Sequence, residues 1–207
     1  MGVLELNKKA GDKIGEKAAS PYIKHKTYLE VFNLFCKKLP KDAFVLDFGC
    51  GSGLPFTKEL VKRGFEVTAI DISDIMIELA KKNVSEAKFI RVSMTDINFK
   101  EDFDGIFSGY TMLCLDPKNF EIAAKKAVKS LKQGGFFFLA LNEPPPGHKE
   151  EENYTKIMGQ EMYSRPYTED EIRKVFSELK IIKVEREIVG SKAYGIEYTL
   201  LVLMQKQ

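Results

Sequence analysis

Apolar residues first fall into a regular rhythm where Tyr28, Val31, Phe32, Phe35 and Leu39 recur at i, i+3, i+4, i+7 and i+11. That spacing makes one face of an α-helix. Ser20-Pro21 ahead of it reads as an N-cap followed by proline at the first helical position, and Pro40 stops it. Upstream, residues 1–19 mix charges with Gly2, Gly11 and Gly15, which predicts a loose or partly helical arm that orders only against the body or a ligand.

From position 43 the rhythm alternates between strand and helix. Strands are predicted at 43–46, 65–70, 87–92, 103–108 and 136–141, and the last is apolar on both faces, as a central parallel strand between helix layers should be. Between them come helices at 54–63 with Gly64 as cap, from Ser73 as N-cap to Asn83, and from Asp116-Pro117 to Gly134-Gly135. A capping box, Thr168 to Glu171, starts a further helix running to about 179. Residues 181–188 and 195–204 then alternate as two strands joined by a turn near Gly190.

The expected fold is α/β: a doubly wound, seven-stranded, mainly parallel sheet with a C-terminal antiparallel β-hairpin strand and helices on both faces. Residues 1–40 form an N-terminal arm and helix covering the pocket, and 41–207 form the main domain. The least regular passage is about 142–166, where Asn142-Glu143 opens into Pro144-Pro145-Pro146-Gly147. A connection this long over the carboxyl edge of a sheet reads as a lid-like insertion, with a short helix expected around 150–158.

Composition narrows the function classes. The 32 basic and 30 acidic residues leave a formal charge of +2 and are interspersed, so nucleic acid is not indicated. The longest apolar run, 136–141, is too short to span a bilayer, and no apolar core of signal-peptide length stands near the N-terminus; a soluble, cytoplasmic protein is expected. Cys36, Cys50 and Cys114 are odd in number and lack metal-ligand spacing, which fits a reducing compartment and no metal site.

The chemistry centres on Val45-Leu46-Asp47-Phe48-Gly49-Cys50-Gly51-Ser52-Gly53. A strand running into glycine at every second position makes a tight loop on whose backbone a ligand can lie, next to the free N–H groups of a helix start. A dinucleotide fingerprint would need its third glycine where Leu54 stands. Asp47 would also repel a pyrophosphate, and it would welcome a cationic group. Asp71 ends the second strand eighteen residues after Gly53, where an acid in α/β ligand domains accepts hydrogen bonds from both ribose hydroxyls.

These residues resemble the first motifs of the class I S-adenosylmethionine-dependent methyltransferases, of the small-molecule type, and the resemblance covers roughly residues 21–205. It implies S-adenosyl-L-methionine as cofactor, with S-adenosyl-L-homocysteine as product. By the same resemblance the cofactor contacts are Asp47, Gly49, Cys50, Gly51, Gly53 and Asp71, with Ile72 and Met76 against adenine, although Met76 fits an ordinary core position equally well. Where the family often has an acid reading the adenine amino group, this chain has Ser93 and Met94, with Asp96 three residues later as the alternative. Ser108 and Gly109 stand beside the methionine part.

The chain also departs from relatives. It has Gly109-Tyr110-Thr111-Met112 in place of the Asn/Asp-Pro-Pro-Tyr/Phe tetrapeptide, and Leu113-Cys114 where a histidine pair is common. Acceptor-site candidates at the carboxyl edge are Tyr22, His25, Tyr110, Asn142, Glu143, Tyr163 and Arg165. Arg165 offers a planar fork for a carboxylate or phosphate, or else pins the lid to an acidic neighbour. The reaction implied is in-line methyl transfer to a small-molecule acceptor, by a monomer or homodimer. Two alternatives are a protein or tRNA methyltransferase working with a partner subunit, and a non-catalytic scaffold that keeps the cofactor fold. A dinucleotide-dependent reductase ranks last, because the glycine spacing is wrong for it.

Overall fold

The computed structural model describes residues 1–15, 25–191 and 195–207. Helix α1 (Val3–Ile14) comes first, followed by α2 (Lys26–Lys38). The face read from the sequence is buried: Tyr28, Val31, Phe32, Phe35 and Leu39 are each less than a tenth exposed. Each such side chain contributes roughly 1.5–3 kcal/mol by leaving water, which is what holds α2 to the sheet.

The sheet is built from β1 (Phe44–Phe48), β2 (Glu66–Asp71), β3 (Lys88–Arg91), β4 (Phe103–Gly109), β5 (Leu131–Asn142), β8 (Leu179–Ser191) and β9 (Gly195–Lys206). Its order is β3-β2-β1-β4-β5-β9-β8. Strand pairs from β3 to β5 are parallel, while β9 runs antiparallel to both β5 and β8. Alternation along β5 divides the core. Phe137, Leu139 and Leu141 pack with α5 (Pro117–Ser130) and α6 (Glu169–Val175), and Phe138 and Ala140 pack with α2 and α3 (Phe56–Lys62). Helix α4 (Asp74–Asn83) lies beside β2 and β3. The chain passes outward from β1 to β2 and β3, then returns to β4 on the other side. The carboxyl ends of β1 and β4 therefore flank a switch-point crevice.

Several expectations are corrected. The insertion contains no helix around 150–158; a short 3₁₀ turn (Glu150–Asn153) leads into a two-stranded hairpin, β6 (Tyr154–Ile157) and β7 (Gln160–Tyr163). Met158 and Gly159 both take positive φ, 50° and 80°, the turn geometry whose twist suits a two-residue hairpin. Tyr154 and Tyr163 face each other across it at 5.3 Å. The last ladder runs past Gly190 to pair Ser191 with Gly195, so the turn comes later than expected. Helix α5 stops at Ser130, and the chain enters the sheet at Leu131, ahead of Gly134-Gly135. Helix α6 ends at Val175, because Leu179 is already paired with Lys206. The Ser20-Pro21 cap and Tyr22 lie outside the described residues. Among those described, no helix is long and apolar enough to cross a membrane.

Candidate active site

The loop after β1 is fixed from both sides. Gly49 and Cys50 donate their N–H groups to Ile70 O at 3.0 and 2.8 Å, and Thr111 Oγ1 donates to Phe48 O at 2.7 Å. Gly49 has φ +97°, and a β-carbon there would stand 2.5 Å from Met94 Cε and 2.6 Å from Thr111 Cβ. Only glycine fits. Gly51, φ +52°, has open space where its β-carbon would be. This loop floors a cavity of about 320 Å³ at the carboxyl edge of the sheet.

Two acids open on that cavity from adjacent strand ends. Asp47 is 2% exposed, and its Oδ2 accepts a short hydrogen bond from Thr57 Oγ1. Burial pushes its carboxyl up to about 7; the Thr57 hydroxyl works against this shift and the charge of Asp71 adds to it. Asp71 accepts from Gly51 N through Oδ2 and from Ser73 N through Oδ1, both at 2.9 Å. Burial raises its pKa too, with those N–H bonds opposing. Each Asp71 oxygen has one N–H partner from these bonds and keeps lone-pair capacity for a hydroxyl donor.

Ile72, Met76, Met94 and Ser93 line the same cavity. Ser93 Oγ is engaged with Thr95 Oγ1 at 2.8 Å, while Asp96 is exposed and faces elsewhere. Ser73 caps α4 by accepting from Met76 N at 3.0 Å and donates its own proton to Asp12 Oδ1 of α1. Although burial opposes it, that hydroxyl and the Lys8 ammonium hold the Asp12 carboxyl below its usual range.

Of the remaining sequence candidates, Cys50, Gly109, Tyr110 and Asn142 line the cavity as well. Burial drives the Cys50 thiol well up, which disfavours its thiolate form. Others stand aside for identifiable reasons. Gly53 backs onto α4, with Val84 and Ala80 3.3–3.4 Å from its would-be β-carbon. Ser108 is buried and bonds Thr111 Oγ1 at 3.1 Å, supporting the wall from behind. His25 holds the N-cap position of α2, away from the cavity wall. Glu143 is clamped by Arg186 through two bonds of 2.7 and 2.9 Å. Arg165 is bound to Glu171 at 2.7 Å and stacks on Tyr167, which is the lid-pinning alternative. Tyr163 packs its ring on Tyr154, and its main chain serves the lid.

The sequence reading expected the N-terminal arm and the insertion over the pocket, but named none of the side chains that line the cavity from them. Leu4, Asn7, Gly11 and Ile14 of α1 line the cavity, as do Ile157 and Met162 of the hairpin and Ser164 after it. Asn7 joins the two, donating to Cys114 O and Tyr163 O at 2.7 and 2.8 Å and accepting from Tyr163 N at 2.8 Å. The i, i+3, i+4, i+7 spacing of Leu4, Asn7, Lys8 and Gly11 was a faint helical signal, hidden by the charges. Glu197 of β9, also missed, accepts from Asn142 Nδ2 at 3.0 Å.

Residues 45–135 match the family model described as a methyltransferase domain. The chain is 28% identical over 162 residues to phosphoethanolamine N-methyltransferase 1 of Arabidopsis thaliana, covering 73% of this chain and 31% of that protein. It spans about a third of the length of the first curated relatives it matches. Among solved structures, 1,6-didemethyltoxoflavin-N1-methyltransferase of Burkholderia thailandensis, with bound 1,6-didemethyltoxoflavin and S-adenosylhomocysteine, aligns at TM-score 0.75. Identity is 18%, over 98% of this chain and 88% of that one. N-methyltransferase NodS of Bradyrhizobium japonicum, in complex with S-adenosylhomocysteine, aligns at TM-score 0.73 and 15% identity, covering 97% and 98% of the two chains.

Proposed function

Given that the chain has the class I S-adenosylmethionine-dependent methyltransferase fold and carries a methyltransferase domain over residues 45–135, we propose that it transfers a methyl group from S-adenosyl-L-methionine to a small molecule. The observation that carries this is the convergence of Asp47, the Gly49–Gly51 backbone and Asp71 on one cavity. The residues fit such a ligand: a buried carboxylate for its cationic amino group, a second for ribose hydroxyls, and Gly51, whose missing side chain leaves open space beside them. When bound, this cofactor supplies a methyl group already activated on a sulfonium.

The work left to the chain is holding and shielding. Asp47 holds the cationic end and Asp71 the ribose. Ile72, Met76 and Met94 flank the adenine, with Ser93 beside its edge. Helix α1 and the β6-β7 hairpin act as a lid that excludes water and orients the acceptor against the far wall of Tyr110 and Asn142. Alignment of this kind supplies on the order of 7–11 kcal/mol of barrier reduction without an acid–base residue. A small acceptor is supported by the roofed cavity and by the absence of lysine, arginine or histidine, the side chains that meet a phosphate backbone, from its wall among the described residues.

The test is calorimetric titration with S-adenosylhomocysteine, comparing wild type with Asp71→Ala. Micromolar binding by wild type, weakened at least about tenfold in the variant, is expected. A folded wild type that takes up no ligand would overturn the reading.

A further inference from the structure

We propose that Asp12 is a positioning residue for the ribose end of the cofactor: through Ser73 it ties α1 to the carboxylate of Asp71, so that closure of the roof and the grip on the ribose strengthen each other. The inference rests on the methyl-transfer reading of the same cavity and deepens it by giving a role to a residue outside the cavity wall.

The two meet at Ser73. Its N–H donates to Asp71 Oδ1 at 2.9 Å, and its Oγ accepts from Met76 N at 3.0 Å as the N-cap of α4. Its hydroxyl donates to Asp12 Oδ1. A serine hydroxyl has a single proton, so the Asp12 carboxylate decides where that group points. Ser73 is 2% exposed, and a charge-assisted bond out of water holds a group in place more firmly than a neutral one. The Ile75 N–H, in the first turn of α4, adds its pull on the same carboxylate, at a helix end that favours negative charge. Asp12 therefore braces the start of α4 from outside, and with it the main-chain N–H that orients Asp71.

The same contact seats the roof. Gly11, next to Asp12, lines the cavity together with Ser73 and Asp71. A β-carbon on Gly11 would stand 3.6 Å from Ser73 Cβ, so the α1 backbone rests directly on Ser73. Lys8, one turn back, lies 2.9 Å from Asp12 and 3.0 Å from Asp74, and Arg91 of β3 reaches Asp74 at 2.9 Å. Asp74 is half-exposed, so its ion pairs contribute little by themselves, and the bond between Asp12 and buried Ser73 is the stronger anchor. Asn7 binds the same helix to Tyr163 and Cys114, which gives α1 separate anchors on the hairpin and on the ribose side. A ligand hydroxyl that engages Asp71 steadies Ser73 beneath Asp12, and a docked Asp12 favours the engaged Asp71, because coupling between two sites is reciprocal.

The experiment titrates S-adenosylhomocysteine and its 2′,3′-dideoxy counterpart, which lacks both ribose hydroxyls, into wild type, Asp12→Ala and Asn7→Ala by calorimetry. Wild type is expected to prefer the hydroxylated ligand at least about tenfold, and Asp12→Ala to lose most of that preference. Asn7→Ala loosens the roof at its other anchor and should weaken both ligands by the same factor. A loss of roof packing alone in Asp12→Ala would do likewise, so an unchanged preference in that variant, once folded, overturns the inference. A preference that shrinks equally in Asn7→Ala overturns it too, as does equal affinity of the two ligands for wild type. Folding is checked by circular dichroism and melting temperature. Where Asp12→Ala does not fold, hydrogen exchange on wild type decides: at equal saturation S-adenosylhomocysteine is expected to slow exchange of the α1 amides more than the dideoxy ligand does, and equal slowing overturns the inference. Failure of S-adenosylhomocysteine itself to bind is a separate result, which overturns the methyl-transfer reading and this inference with it.

Discussion

The side-chain amide of Asn7 grips the main chain of Tyr163 from both sides, accepting its N–H and donating to its carbonyl, each at 2.8 Å. This is the pairing one strand offers another, supplied here by a single side chain of α1 to the edge strand β7. The second Asn7 proton goes to Cys114 O at 2.7 Å, so one residue ties helix, hairpin and the loop after β4 into one roof.

Asn7→Ala leaves three main-chain groups without these partners. Unfolding free energy should fall by about 1–3 kcal/mol, read from the denaturant midpoint, and affinity for S-adenosylhomocysteine should fall with it because the roof loosens. An unchanged midpoint together with unchanged affinity would show that the clasp holds nothing.

Gly49 and Gly51 separate packing from occupancy. Gly49→Ala drives a methyl into Met94 and Thr111 at an unfavourable φ, so both stability and ligand affinity should drop, the former by about 1–3 kcal/mol. Gly51→Ala places its methyl in open space, with φ +52° costing only about 1–2 kcal/mol. It should therefore lose ligand affinity disproportionately. Thermal unfolding and calorimetry on the two variants distinguish these outcomes.

Asp47 makes binding depend on pH. Its folded pKa, about 7, lies above the ordinary 3.8, so the folded apoprotein holds this proton more tightly than the unfolded chain does. The group's contribution to apoprotein stability is fully present below pH 3.8 and is lost as pH rises through 7. A cationic ligand reverses the preference, because it pairs with the ionised form. Affinity for S-adenosylhomocysteine should therefore rise with pH up to about 7 and then level off, with a proton released on binding below that point. Calorimetry in buffers of differing ionisation enthalpy measures the release, and Asp47→Asn should abolish it.

Thr57→Val removes the hydroxyl that favours the charged Asp47. The midpoint of the affinity profile should move to higher pH while affinity on the alkaline plateau changes little. A uniform loss at every pH would mean that Thr57 only shapes the loop.

Much of this protein was legible locally. The face of α2, the strands from β1 to β5, the glycine loop and the positions of Asp47 and Asp71 follow from periodicities of 3.6 and 2 and from residues whose backbone demands act within a few positions. Ser93 lines the cavity and Asp96 does not, a placement set within one short loop after β3. The hairpin was hidden, since Glu150 to Asn153 mimics a helix start and Met158-Gly159 is not among the commonest hairpin turns. The fates of Glu143 and Arg165 were undecidable in sequence. A charged side chain at a sheet edge serves a ligand or a neighbour depending on which charge the fold brings near, and here Arg186 and Glu171 arrived.

The sequence by itself determined the strand-loop-helix frame and the acids at its strand ends, because those depend on neighbours in the chain. The tertiary structure alone decided how the cavity is roofed and what its far wall offers. Asn7 meets Tyr163 across 156 positions, and Glu197 meets Asn142 across 55. No local pattern encodes such pairs, since their partners are set by how strands and helices stack once the hydrophobic core has closed.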